Sequence, residues 1–580
     1  MNRVWDTPGG IHPPANKRQS LTLPIGYPKL PERLVVPLIQ HIGEHCIACV
    51  TIGQQVLKGE LIGVVDGALG TSVHAPSSGI VSAIEARPVG HQSGSLAPCI
   101  EILTDGLERW VSRPKTRDYR QLAPSQLLER IAQSGICGLG GAGFPTATKL
   151  TFNGAVPIST IIINATECEP YVTADESLMR ERADEIIAGI GIIALLYDNT
   201  PRLVIGIEET KPEACAALLA ASHASAIEIV QIPSKYPSGG ERQLIYTLTG
   251  KEVPSGRIPA SIGILCINVA TTYAIKRAII DGEPLISRVV TVTGKACGTQ
   301  RNYQTLIGTP VQHLLDHSGL DDSRLSKLIM GGPMIGFDLP YASVPVVKTS
   351  YCILAPDASE LAPTAPERAC IRCGFCAEVC PVSLLPQQLL WHAKTADHQR
   401  LEEHNLFDCI ECGACAYVCP SHIPLVQYYR ASKGEIDAAR ADKANARQAR
   451  QRFEFHQLRL ARLEREKNQR RKARRAAAGS NPSPSSRIKA PKASIMRLSS
   501  ADIIAAAQGR TTEKKPTAEQ TLNKLRRNVS TLQMRLEHAE RRLAAAAGET
   551  ADKQNSLRAT AEDARQKLHR GEQRLTEQYH

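Results

Sequence analysis

A chain of 580 residues is too long for one hydrophobic core, and at roughly 150 residues per domain it calls for three or four domains. Its 42% hydrophobic and 22% charged residues exclude a disordered or low-complexity chain. The longest strongly apolar stretch, Ala188 to Tyr197, is about half of the roughly 20 residues a spanning helix needs, which excludes a transmembrane helix.

The formal net charge of +12 is unevenly spread, because Lys433 to Ser480 alone holds 15 basic and 6 acidic residues. Such a segment suits nucleic acid, an anionic membrane or an acidic partner, and charge does not choose among them. The start, with Trp5, Asp6 and a run of prolines, lacks the charged-then-apolar order of a secretory signal, so a cytoplasmic protein is expected. Eight of the 17 cysteines sit in two tight groups, which points to a reducing compartment and to metal ligation.

Taken in chain order, residues 1–33 form an N-terminal segment, and residues 34–115 carry short β-branched runs punctuated by glycine, an all-β pattern. Val56 to Gly63 and Val73 to Val81 give two similar strand-turn-strand signals, which resemble the two halves of a biotinyl/lipoyl-like barrel-sandwich hybrid. Carriers of that type present a modified lysine between the halves. Gly67-Ala68-Leu69-Gly70-Thr71 has none, so a scaffold is expected here. Cys46 and Cys49 form a C-x-x-C without a second pair and read as incidental thiols.

Residues 116–286 switch to helices alternating with short buried strands, including Ile158 to Ile163 and Leu203 to Ile207, as in α/β folds. Within them Gly138-Leu139-Gly140-Gly141-Ala142-Gly143-Phe144-Pro145-Thr146-Ala147-Thr148-Lys149 packs glycines before a helix, where backbone N–H groups can approach a phosphate. A tight structural turn is the alternative use of such glycines. Residues 287–350 are strand-rich again, opening at Val289 to Gly294 and containing the turn Gly331-Gly332-Pro333. They resemble the soluble-ligand-binding β-grasp (SLBB) domain.

Residues 360–432 contain Cys370-x2-Cys373-x2-Cys376-x3-Cys380-Pro381 and Cys409-x2-Cys412-x2-Cys415-x3-Cys419-Pro420. Both match the bacterial ferredoxin run, in which three closely spaced thiolates face one [4Fe-4S] cluster and the fourth ligates the other. One cluster then uses Cys370, Cys373, Cys376 and Cys419, the other Cys409, Cys412, Cys415 and Cys380, with each fourth cysteine expected to start a helix. Zinc ribbons, the competing reading, usually come as separated C-x2-C knuckles. Residues 433–580 read as a basic, Ala-rich helical tail with a linker near 479–495, from Gly479 to Ser486 onward. Leu522, Leu525, Val529, Leu532, Leu536, Ala539 and Leu543 then keep heptad spacing, which fits a helix paired either with its own downstream stretch or with another chain.

Asn164-Ala165-Thr166-Glu167-Cys168-Glu169-Pro170 and Tyr236-Pro237-Ser238-Gly239-Gly240-Glu241, taken with the glycine-rich tract, resemble the flavin- and NADH-binding subunit of respiratory complex I. The full order of parts, from about residue 10 to 432, resembles the RnfC family, which belongs to the Rnf (Rsx) ion-translocating oxidoreductases. The implied architecture is multidomain α/β and α+β. By this resemblance Gly140, Gly141, Gly143 and Lys149 cradle the FMN phosphate, and Asn164 and Asn268 bond the flavin. Phe144 and Phe152 flank NAD(H), and Glu167, Glu169, Tyr236 and Glu241 complete the pocket. Thr166, Gly240 and Ile267 depart from the family's pattern.

Electrons are then expected to pass between NADH, FMN and two [4Fe-4S] clusters, the chemistry belonging to the cofactors and not to a catalytic acid or base. The implied partners are the membrane subunits of the Rnf/Rsx complex, with ferredoxin or flavodoxin as further candidates and no specific nucleic acid. The implied place is the cytoplasmic face of the bacterial inner membrane, held peripherally. An iron–sulfur wire or docking scaffold whose flavin pocket no longer functions is the alternative.

Overall fold

Alternating apolar residues between Arg33 and Thr104 close two antiparallel sheets over one core. Arg33–Pro37 pairs with Leu96–Thr104, which pairs with Gly79–Pro88, which pairs with Gln55–Val56. Cys46–Ala48, Leu61–Val65 and Val73–His74 make the second sheet. Leu34, Val36, Ile62, Val81, Ile100 and Ile102 fill the space between and are fully buried. The sheet ends at Thr104, and the expected extension towards residue 115 adds only a single bridge between Lys58 and Trp110. The computed structural model describes residues 3–478, apart from 66, 68, 92, 114, 117, 142, 152–155 and 362–364, together with 562, 565 and 568. Residues 1–460 form one unit and 461–580 another.

Near-continuous apolar runs such as Ile161-Ile162-Ile163 are buried on both faces, the signature of a parallel sheet covered by helices. Four strands run parallel in the order Ile227–Ile232, Arg202–Glu208, Thr160–Ala165, Ile264–Asn268. The strand expected over 158–163 begins two residues later, where pairing with Arg202 and Ile264 starts. Helices Ala174–Glu181, Ala183–Ala194, Pro212–Ser222, Glu241–Thr249 and Val269–Ile280 flank the sheet. The chain steps outward through three strands and then returns to the other side of Thr160–Ala165. That reversal is a topological switch point, where open α/β sheets bind ligands beyond the strand ends.

A five-stranded sheet follows in the order Arg301–Leu306, Ser287–Thr293, Cys352–Leu354, Ile329–Met330, Phe337–Asp338. Its second and third strands are parallel and the other pairs antiparallel, with helix Val311–His317 between the second and third strands in sequence. At the junction with the parallel-sheet domain lies Asn302, with no exposed surface. Its Nδ2 donates to Ser20 O (3.0 Å) and Ser177 Oγ (2.7 Å), and its Oδ1 accepts from Thr291 Oγ1 (2.7 Å) and Thr173 Oγ1 (3.1 Å).

In the cysteine region each quartet holds a single-turn helix, Phe375–Glu378 or Ala414–Tyr417, entered through a left-handed glycine, Gly374 or Gly413. The expected helix starting at the fourth cysteine is not formed: Cys380 and Cys419 come just after these turns, and the next helices begin at Pro386 and Leu425. Pro381 and Pro420 account for this, since proline disfavours helical geometry in the residue before it. Helix Leu425–Ala478 buries Leu425, Val426, Tyr429 and Ile436 against the cysteine region, and from Ala441 to Leu460 all of its residues are exposed. The expected linker at 479–495 and the heptad positions from Leu522 to Leu543 lie outside the described residues. Among the described residues no helix is long and apolar enough to cross a membrane.

Asn302→Leu should leave the buried Ser177 hydroxyl and the Ser20 carbonyl unpaired, at a cost of at least about 2 kcal/mol. Differential scanning calorimetry should show it as a lowered first transition.

Candidate functional site

Two strands that meet at the switch point carry asparagines at their carboxyl ends, Asn164 one residue before the last and Asn268 the last, and the two are register partners. Asn268 caps helix Val269–Ile280: its Oδ1 accepts from Ala270 N (2.9 Å) and Thr271 N (3.4 Å), and its Nδ2 donates to Asp175 Oδ2 (2.5 Å). Asn164 Nδ2 donates to Gly239 O (2.9 Å), and its Oδ1 accepts from Thr166 Oγ1 (2.7 Å). The glycine-rich loop passes close to these ends. A Cβ on Gly140 would lie 3.2 Å from the Cβ of Asn268, so a bare backbone suits this approach.

Loop, strand ends and the segments at 164–169 and 236–243 enclose a cleft of about 500 Å³, a volume usual for cofactor sites. Gly140, Phe144, Lys149, Asn164, Glu167, Glu169, Tyr236, Glu241 and Asn268 all line it. Gly141 and Gly143 belong to the loop but not to the lining, and Phe152 lies outside the described residues. Sequence reasoning missed Thr146, Asp175, Gln243, Ile410 and Cys412, which also line the cleft. Thr146 sits inside the glycine-rich tract and Gln243 two residues after Glu241, so both were within reach of the motifs. Ile410 and Cys412 come from another domain and had no local signal.

Three buried atoms of this lining, Thr146 Oγ1, Glu169 Oε2 and Gln243 Oε1, have no hydrogen-bond partner. Buried polar atoms are nearly always paired, so these fit a ligand rich in hydroxyl, imide or phosphate groups, as FMN is. Lys149 Nζ brings a cation to the same wall, 2.5 Å from Glu241 Oε1.

The acidic residues divide by their bonds. Glu167 accepts from Asp175 N (2.7 Å) and Glu176 N (3.0 Å), so its carboxylate is engaged by the N-terminus of helix Ala174–Glu181, where unpaired N–H groups favour an anion. Glu169 uses Oε1 to accept from Met334 N (2.8 Å) and Ile335 N (3.2 Å), which ties the cleft to the five-stranded domain. Burial pushes Glu169 up to about 7, outweighing those bonds. Burial, and then repulsion from Glu167, also raises Asp175.

Tyr236 joins the cleft to the cysteine region, its Oη donating to Cys412 O at 2.6 Å. Cys409, Cys412 and Cys415 line one small void together with Cys380. Cys370, Cys373 and Cys376 line another together with Cys419. The first void adjoins the cleft, because Ile410 and Cys412 line both, whereas the second reaches the surface at exposed Cys373. Glu411 is held by Arg430 and Lys433 at 2.8 Å each, and Lys433 also donates to Cys409 O (2.7 Å), so the long helix braces the inner quartet. Burial pushes the Cys412 thiol up to about 11, so a thiolate here depends on the charge of a bound metal.

Comparison with known proteins agrees with this geometry. Residues 5–107 match the RnfC barrel sandwich hybrid domain, residues 131–277 the Nuo51 FMN-binding domain, and residues 369–423 the 4Fe-4S dicluster domain. Fold and site together define the class, an FMN-binding α/β domain joined to a dicluster iron–sulfur module.

The C subunit of the ion-translocating oxidoreductase complex of Pseudomonas aeruginosa is 53% identical over 448 residues, covering 77% of this chain and 58% of that one. The protein of the same description from Yersinia pestis bv. Antiqua is 51% identical over 452 residues, covering 77% and 72%. The chain belongs to this RnfC family, and it spans less than two thirds of the length of the Pseudomonas relative. A crystal structure of NAD+-reducing [NiFe]-hydrogenase in the H2-reduced state aligns with TM-score 0.40 and 19% identity over 57% of this chain and 69% of that one.

Folded Glu169 keeps its proton up to about pH 7, whereas an unfolded glutamate releases it near 4.5. Between those values the folded state binds more protons, so this group's contribution to stability falls as pH rises. Glu169→Gln keeps an acceptor for Met334 and Ile335. In flavin-free protein it should remove that fall and stabilise above pH 7 by on the order of a few kcal/mol, read as a flatter dependence of melting temperature on pH.

Proposed function

We propose that this chain is the electron-input subunit of a membrane-bound, ion-translocating oxidoreductase complex. It passes electrons between NADH, FMN and two [4Fe-4S] clusters, as a peripheral protein at the cytoplasmic face of the bacterial inner membrane. The observation that carries this is the adjacency of the two sites: one cysteine turn, Ile410 and Cys412, lines both the cleft and the inner void.

Bound in the cleft, FMN would take the two electrons of NADH together and release them singly. The backbone of the glycine-rich tract at Gly138 to Gly140 and the cation of Lys149, all in the lining, hold the phosphate end. Thr146, Glu169 and Gln243 offer their unpaired atoms to the polar parts of the flavin. Phe144, an exposed side chain of the cleft lining, faces the dinucleotide. Glu167 acts at one remove, by fixing the helix that carries Asp175. The wire-only alternative has less support, since a decayed pocket would not keep three unpaired polar atoms around a cleft of this size.

Cys409, Cys412, Cys415 and Cys380 hold the cluster next to the flavin, and Cys370, Cys373, Cys376 and Cys419 hold the outer one. Electrons entering at the cleft therefore reach the inner cluster first. The five-stranded unit is read as an SLBB domain, supported by its central parallel pair and single helix. Other members of the complex, and ferredoxin or flavodoxin, are the partners, and the exposed basic helix rests against anionic lipid.

Cys380→Ser should remove the inner cluster, so that NADH still bleaches the flavin while the outer cluster stays oxidised. Cys419→Ser should leave the inner cluster reducible. EPR of FMN-loaded protein after NADH addition separates the two variants, and prompt reduction of the outer cluster in Cys380→Ser would reverse the proposed order.

Truncation after Lys443 preserves the buried turns of the long helix. It should keep both clusters but abolish salt-sensitive recovery with membranes, measured by flotation at low and high ionic strength.

A further inference from the structure

The N-terminal segment supplies none of the groups assigned above, yet it threads between the cleft and the inner cysteines. Trp5 N donates to Thr247 O (3.0 Å), and Lys235 Nζ holds Asp6 Oδ1 (2.9 Å) and Thr7 O (2.6 Å), which fastens the strand to the α/β domain. Gly10 N then donates to Val379 O (2.9 Å), one residue before Cys380. Ile11 and Tyr236 exchange two backbone hydrogen bonds of 2.9 Å each. The Ile11 side chain is buried with Tyr236 and Ala414, and Val379, Cys412 and Met334 pack around them. Further along, Lys17 Nζ donates to Glu167 O (2.5 Å) and Val172 O (2.6 Å).

Within three residues the segment thus grips the cleft wall at Tyr236 and the turn that carries Cys380. Gly9 shows how close the grip is. It takes φ +58°, and a Cβ there would lie 2.5 Å from the carbonyl oxygen of Cys380, a backbone atom that has no rotamer with which to move aside.

We propose that Gly9-Gly10-Ile11 is a positioning staple that holds the inner cluster's ligand turn against the wall of the flavin cleft and so sets the rate of electron transfer between them. This rests on the proposed function. Electron transfer falls steeply with separation, and among the described residues the α/β domain is otherwise joined to the inner turn by side-chain hydrogen bonds: Tyr236 to Cys412 O, Gln243 Nε2 to Pro381 O (3.3 Å), and Arg242 (3.0 Å) and Ser255 (2.5 Å) to Asp408. The staple adds main-chain bonds, stiffened by Pro8, Pro13 and Pro14 on either side.

The test uses the full chain loaded with FMN and both clusters, as wild type, Gly9→Ala and Ile11→Ala. Flavin bleaching and cluster reduction are followed separately after rapid mixing with NADH, and again after photoreduction of the flavin without NADH. Bound FMN, iron content and the rate of flavin bleaching should match wild type. Reduction of the inner cluster should slow severalfold relative to wild type.

Inner-cluster reduction at the wild-type rate in iron-replete variants would overturn the staple. Loss of iron from both variants would overturn it too, in favour of a purely structural role. If Gly9→Ala alone loses iron, Ile11→Ala decides. If NADH fails to bleach the wild-type flavin, the proposed function fails instead, and the photoreduction arm still reads the staple.

Discussion

The hydrogen bond from Tyr236 to the carbonyl of Cys412, 2.6 Å long, is the point on which the arrangement turns. A two-electron donor and one-electron clusters can exchange only if a group able to do both stands beside the first cluster. In the proposed function that requirement is why two domains with unrelated folds share a wall. The α/β sheet contributes its switch point, the place where strand ends diverge and leave room. The cysteine region contributes one ligand turn, and Tyr236, buried at 4% exposure, closes the seam between them.

Burial on both sides of this seam carries an electrostatic cost that is met differently on each side. In the cleft the acids are neutralised by geometry: Glu167 faces helix N–H groups, while Glu169 accepts from two backbone N–H groups and holds its proton to about pH 7. Around the inner quartet, raised thiols need the charge of bound iron, and Glu411 is balanced by Arg430 and Lys433. Unpaired Thr146 Oγ1, Glu169 Oε2 and Gln243 Oε1 are the exception. They mark where the protein is left incomplete for a ligand to finish.

How much of this could be read in the sequence follows from the distance over which each feature is encoded. The cysteine runs are local, with spacing, glycine and proline inside a dozen residues, so the two quartets were legible, although Pro381 and Pro420 place the short helices before the fourth cysteines and not after them. The parallel sheet was legible from its doubly apolar runs. The cleft was legible only through short motifs, and these named residues without their partners. Glu167 was expected at the ligand and lines the cleft, but its bonds to a helix N-terminus eight and nine residues ahead were not announced by the motif. Nothing in the pattern around Ile410 and Cys412 announces that they face a flavin site.

The two quartets are near copies in sequence, and their surroundings make them unequal. At matching positions Arg372 and Glu411 both adopt left-handed backbone, φ +59° and +57°, so the two turns have the same local shape. Glu411 is tied to the long helix and its neighbour Cys412 to Tyr236, whereas Cys373 and Ile371 are exposed, Ile371 at 67%. A symmetric pair of clusters is thereby given an inside and an outside. Polarity along the proposed wire then comes from the packing of the neighbouring domains, to which differences inside the motifs are matched: Glu411 stands where the outer run has Arg372, and buried Ala414 where it has exposed Phe375.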